Sequence, residues 1–210
     1  MVLGPRTSEE RYGPALEKAL ADWKRRDPQE TAWKAGADYD TASGMVSLTL
    51  TGEKYTIHHP DGEVRLVGND AEVPITTRIL LLHYLLTADG APPAGRWVAF
   101  RELPDAMVYD PAFQGRASHR IRTRFGTDLE AFHRAARALG GDRLSFGDAS
   151  YLFRALPRVW LAVIVYKGDE EFSPSANVLF DAAAANYLPT EDLAVLGGYL
   201  ASRLIHAAGK

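Results

Sequence analysis

The 210-residue chain contains no cysteine, which removes disulfides, thiolate-held iron–sulfur clusters, cysteine zinc sites and thiol nucleophiles together. Any metal would have to be held by histidine or carboxylate. Long apolar runs are missing too: the longest, Val159 to Tyr166, is far short of the roughly 18 residues of a membrane helix. The N-terminus lacks the basic-then-apolar pattern of a signal peptide, so the expectation is a cytoplasmic protein without membrane contact. Neither sign of charge dominates, with 24 Lys+Arg against 27 Asp+Glu and a net charge of −3, which excludes a broadly basic nucleic-acid binder. A Walker loop, G-x-G-x-x-G, G-x-S-x-G and H-E-x-x-H are also absent. An enzyme of a less familiar class stays open, because sites assembled from distant positions leave no local signature.

What is present is the composition of an ordinary soluble globule, 46% apolar and 24% charged, and a single α+β domain over residues 1–210 is expected. Ser8 to Arg26 reads as an amphipathic helix with Ser8 as N-cap, ended by Pro28. Met45 to Val67 alternates with period two and is cut by Gly52 and Pro60-Asp61-Gly62, the pattern of an antiparallel meander. Pro74 opens a helix through Leu86 that has almost no polar face and belongs inside the core. Trp97 to Phe100 reads as a short strand, and Pro111–Phe125 and Asp128–Leu139 as a helical pair. Arg143–Phe146 and Tyr151–Phe153 are short strand candidates, Val159–Tyr166 is the best central strand, and Asn177–Phe180 adds another. Thr190 caps a C-terminal helix with Leu193, Leu196, Leu200 and Leu204 in one stripe, while Gly197-Gly198 would admit a close neighbour. The fold class is thus α+β: a mixed antiparallel sheet with an N-terminal helix, a buried central helix, a helical pair and a C-terminal helix.

Two charge asymmetries stand out. Seven arginines (116, 120, 122, 124, 134, 137 and 143) face only Asp128, Glu130 and Asp142 in residues 116–143. Arg116, Arg120 and Arg124 are four apart and would share one helix face, with Tyr109, Phe113 and His119 nearby. Such a row can clamp a small anionic molecule or an acidic partner protein, or be a solvated face with internal ion pairs. Conversely, residues 168–192 carry six acids and no Lys or Arg. Asp169, Glu170, Glu171 and Asp181 are candidates for a hard-cation site or an acid/base pair. Glu191 and Asp192 are accounted for by the helix start, and Asp169 by turn chemistry. Pairing of the two segments would explain both without a ligand. Among the histidines, His83 projects from an apolar face, and His58 and His59 point to opposite sides of a strand end. His119, His133 and His206 lie on helices with no second ligand at metal spacing, which leaves single axial ligation of a haem or cobalt centre.

Several phrases carry a family resemblance. Gly95-Arg96-Trp97-Val98-Ala99-Phe100, Lys167-Gly168-Asp169-Glu170-Glu171-Phe172-Ser173-Pro174, Val178-Leu179-Phe180-Asp181 and Tyr187-Leu188-Pro189-Thr190-Glu191-Asp192-Leu193 resemble the domain of unknown function 3786 family of mainly anaerobic bacteria and archaea. The resemblance implies no assigned activity, cofactor or catalytic residue. Some members are fused to a cysteine-rich domain similar to that of corrinoid iron–sulfur proteins, which hints at corrinoid or one-carbon metabolism; this chain has no cysteine to hold such a cluster.

The expectation is an accessory or binding protein that takes a small anionic ligand, cofactor or acidic partner in a cleft between the arginine helix and the acidic loop. The alternatives are a metal- or carboxylate-dependent enzyme using Glu170, Glu171 or Asp181, and an interaction subunit presenting Trp33 or Trp97.

Overall fold

The computed structural model describes residues 7–209. The chain divides into two compact units, one running to Thr49 and over Glu53–Ala91, the other comprising Leu50–Gly52 and everything from Pro92 onward.

The first unit begins with α1 (Ser8–Trp23). Its N-cap is Thr7 and not Ser8: the Thr7 hydroxyl accepts from the Glu10 amide while the Glu10 carboxylate accepts from the Thr7 amide, a reciprocal pair that satisfies two free donors. Pro28 does not end this helix. It opens a second one, α2 (Pro28–Ala35), where a ring without an N–H costs nothing in the first turn, and Asp27 caps it through the amides of Gln29 and Glu30. The meander follows as β1 (Asp38–Asp40), β2 (Met45–Leu50), β3 (Glu53–His58) and β4 (Val64–Leu66), hydrogen-bonded in that order. β1 has no apolar alternation and is a strand only by pairing with β2, Tyr39 opposite Val46. Helix α3 (Ile75–Thr87) is buried as its composition predicts, with Ile79 to Leu82, Tyr84 and Leu85 inside. The 58–62 loop is fastened to α1 at Trp23, whose indole donates to the His58 carbonyl at 3.0 Å, and at Gly62, where an added Cβ would lie 2.4 Å from Leu20 Cδ2.

The second unit is built on a five-stranded antiparallel sheet in the order β5-β9-β8-β7-β6. Its strands are β5 (Trp97–Ala99), β6 (Asp142–Leu144), β7 (Ala149–Leu156), β8 (Val159–Tyr166) and β9 (Ser175–Asp181). β8 is the middle strand, with Leu161 to Val165 buried without interruption, as its β-branched run predicts. The helices are α4 (Asp110–Arg116), α5 (Ser118–Phe125), α6 (Leu129–Ala138) and α7 (Thr190–Ala207). α5 packs on β8 and β9, α6 on β7, and α4, α5 and α6 all pack on α7. Among the described residues no helix is long and apolar enough to cross a membrane.

The continuous Pro111–Phe125 helix is corrected: it breaks at Ala117, with φ −116° and ψ −81°. Ala117 is fully buried, and its methyl lies 3.6 Å from where a Cβ on Gly197 would stand. Thr190 likewise does not cap α7. Pro189 occupies the cap position, and the Thr190 hydroxyl donates to the Pro104 carbonyl at 2.6 Å.

Leu193, Leu196, Leu200 and Leu204 are fully buried, each contributing about 1.5–3 kcal/mol by removal from water. Phe113 is stacked on Phe100 with centroids 4.2 Å apart and tilted against Phe180 at 5.7 Å, which ties α4 to β9. The close approach needs a helix without side chains at this point: a Cβ on Gly197 would sit 2.5 Å from Phe113 Cε2. Gly197→Ala is therefore expected to destabilise the chain by about 1–3 kcal/mol through overpacking, read as a lower midpoint in denaturant unfolding.

Candidate functional site

The break at Ala117 puts Arg116 on α4 and Arg120 and Arg124 on α5, so they do not share a face of one helix. The row is nevertheless kept, because each of the three meets α7 or the residues just after it. The stem of Arg116 lies over Gly198, its Cβ 3.2 Å from where a Cβ on that glycine would stand. Arg120 donates from Nη1 to the Ser202 hydroxyl at 2.8 Å. Arg124 donates to the Ala208 carbonyl at 3.2 Å, where a cation suits the negative end of the helix. Its carboxylate neighbour, Asp128, is 4.0 Å away. Arg116 and Arg120 are exposed and have no carboxylate within ion-pair distance among the described residues. Gly198 and Ser202, four apart on α7, form the other side of the row and escape a reading of the sequence that looks for charge. The glycine pair and the hydroxyl one turn later are the signal that could have found them.

The neighbours expected to complete this site are divided. Phe113 is buried in the aromatic cluster and faces no solvent. His119 is exposed and accepts on Nδ1 from Arg122 at 2.8 Å, a pairing that needs a neutral imidazole with its proton on Nε2. Tyr109 borders a different cavity, of about 390 Å³, with Pro104, Asp105, Leu188 and Glu191.

The acidic segment lies elsewhere. Asp169 closes a tight turn, Oδ1 accepting from the amides of Glu171 at 2.9 Å and Phe172 at 2.7 Å. That turn holds Glu170, Glu171 and Phe172 exposed. The loop is anchored at the far end of α5: Gly168 donates to the Gly126 carbonyl at 3.1 Å, and a Cβ on Gly126 would sit 2.4 Å from Pro174 Cβ. Arg116 is on α4, across the break from that anchor, and Arg122, which borders a cavity with Ser173 and Pro174, is the arginine beside the loop. Asp181 is at the other end of β9, about 20 Å away by strand rise. It is buried, Oδ1 accepting from Ala94 and Ala183 and Oδ2 from Gly95. Glu170 or Glu171 therefore does not pair with Asp181, and among the described residues no group of three His, Asp or Glu converges in a metal-binding arrangement.

The histidines are dispersed. The His58 imidazole contacts Asp61 at 2.9 Å, and His59 packs edge-on against Trp23 with centroids 5.2 Å apart. The Glu63 amide and then His58 hold the Asp61 carboxyl below its usual value. His83 is half-buried on α3 and His206 exposed on α7. His133 is buried on α6 with Nδ1 2.9 Å from the Tyr151 hydroxyl. Burial, then the charges of Arg143 and Arg137 against the opposing charge of Glu130, push its pKa below the ordinary 6.5. The cavities beside β4, α2, Tyr109, Arg122 and the acidic loop have no histidine in their walls. Of the two tryptophans expected to face a partner, Trp33 is exposed and Trp97 half-buried on β5.

A family model described as "Domain of unknown function (DUF3786)" matches residues 27–203, which include every phrase that carried the resemblance. No curated protein and no solved structure matches the chain.

Two outcomes follow from these placements. Asp181→Ala strands three backbone donors and is expected to cost about 2–4 kcal/mol, measured by equilibrium unfolding. Because the folded-state pKa of His133 is depressed, the unfolded chain takes up the proton first as pH falls. Stability is thus full above about 6.5 and lost as pH drops through the lower folded value. His133→Gln should flatten this acid slope in melting temperature, and an unchanged slope would assign it to another group.

Proposed function

We propose that this chain, which belongs to the family of the domain of unknown function DUF3786, is an accessory binding module that docks an acidic surface of a partner protein along the arginine row beside α7. The observation that carries this reading is that Arg116 and Arg120 are aligned, exposed and without a carboxylate among the described residues, whereas Arg124 has both a helix end and Asp128. Guanidinium groups keep their charge at any working pH and present forks that match carboxylate oxygens in pairs. Gly198 leaves room for the Arg116 stem, and the neutral Ser202 hydroxyl holds the Arg120 guanidinium without cancelling its charge, so less side-chain freedom is lost on docking.

The shape of the row favours a protein surface over a small anion. Small-molecule sites are concave and cover most of their ligand. Arg116 and Arg120 are exposed along two successive helices, and a partner with spaced Asp or Glu side chains suits such an extended row.

The test is the fluorescence anisotropy of a labelled oligoglutamate peptide titrated with the full chain at two salt concentrations. Binding should weaken as salt is raised and fall by about tenfold in Arg116→Gln/Arg120→Gln. Arg134→Gln, an exposed arginine on α6 outside the row, should bind like the unaltered chain. Failure to bind at low salt, or an equal loss in Arg134→Gln, overturns the assignment; inorganic phosphate competing at low concentration would return the face to a small anion.

A further inference from the structure

A cavity of about 640 Å³ opens in the first unit between β3, β4, the 67–73 loop and the first turn of α3. Its volume falls within the roughly 300–1,000 Å³ of small-molecule sites. Val64 and Val73, both buried, contribute an apolar part of the wall, and Arg65, Asp70, Glu72 and Arg78 a charged part.

Arg78 is the unusual member. Its side chain is 25% exposed, and the one carboxylate within ion-pair distance among the described residues, Glu72, stands 3.8 Å away on a side chain that is 85% exposed. That separation is beyond hydrogen-bond reach, and so exposed a partner contributes little. The aliphatic stem accounts for the burial of Arg78, while its guanidinium nitrogens are not among the buried unpaired atoms and stay accessible, with their charge fixed at any working pH. Arg65 shows what an ordinary pairing in the same wall looks like: it meets Glu63 at 2.8 Å, with both side chains exposed. Arg78 lines the cavity and makes no side-chain hydrogen bond among the described residues, and a guanidinium fork so placed suits a carboxylate or another planar anion.

The remaining charges select among anions. With Glu63 neutralised by Arg65, the wall holds Asp70 and Glu72 against Arg78. A multiply charged anion would meet more negative than positive charge here, whereas a molecule carrying one carboxylate and one ammonium meets both. The geometry points to a binding site for a free α-amino acid or a similar small amino-carboxylate, its carboxylate on the Arg78 fork and its ammonium towards Asp70 and Glu72. Val64 and Val73 provide apolar surface for the rest of the ligand. This site belongs to the first unit and does not rest on the arginine row beside α7.

The experiment is a thermal-shift screen of the full chain against free L-amino acids, with acetate, inorganic phosphate and ammonium as separate probes. At least one amino acid should raise the melting temperature saturably, by about 5–10 °C at a hundredfold excess over its Kd. The amide and the N-acetyl derivative of that amino acid, each lacking one charge, should give no comparable rise. Arg78→Gln should weaken binding by about tenfold or more, Asp70→Asn by less, and Arg78→Lys should fall between because it keeps the charge and loses the fork. If Arg78→Gln does not fold, the two derivatives decide the matter on the unaltered chain. The proposal is overturned if no amino acid raises the melting temperature, if the rise persists in folded Arg78→Gln, or if acetate or phosphate alone produces it.

Discussion

The second unit depends on the distance at which α4 meets α7. At Gly197 that helix offers no Cβ, so the ring of Phe113 occupies the space a side chain would take and reaches Phe100 and Phe180 beyond it. The same approach buries Ala117, where the helical path breaks, and brings the stem of Arg116 over Gly198. Since α5 continues beside α7, Arg120 and Arg124 land on Ser202 and Ala208 in turn. A packing requirement of the core thus sets the spacing of charges on the surface, and the spacing survives a change of helix.

Elements whose pattern is complete within their own span are legible from sequence. β8 has its β-branched run, α3 its unbroken apolar face, and α7 its leucine stripe, and each appears where its residues predict. Elements defined by something distant are not. β1 is made a strand by β2, and its Asp-Tyr-Asp has no period of its own. α2 hides behind Pro28, which reads as a stop until Asp27 is recognised as the cap before it. The break at Ala117 lies against Gly197, eighty residues later in the chain, and no local pattern announces it.

The candidate site divides in the same way. The spacing of Arg116, Arg120 and Arg124 predicts one face of one helix, which the break at Ala117 divides between two; that α7 lies beside all three is not visible in it. Asp181 looks like a free acid because the amides it holds, at Ala94 and Gly95, are 87 and 86 residues away. The turn at Asp169 is readable because its partners are two and three residues on. Arg78 leaves no trace in sequence: it is one cation at the head of an apolar helix, and only the cavity wall around it makes it distinctive.

The sheet borders have a consequence of their own. β1 and β4 close the first sheet and β5 and β6 the second, and each is only three residues long. Three of the four carry charge, Asp38 and Asp40, Arg65, and Asp142 with Arg143. Stubby, charged margins give another chain too few backbone donors and acceptors to extend the ladder. Such margins disfavour edge-to-edge pairing between copies of the chain.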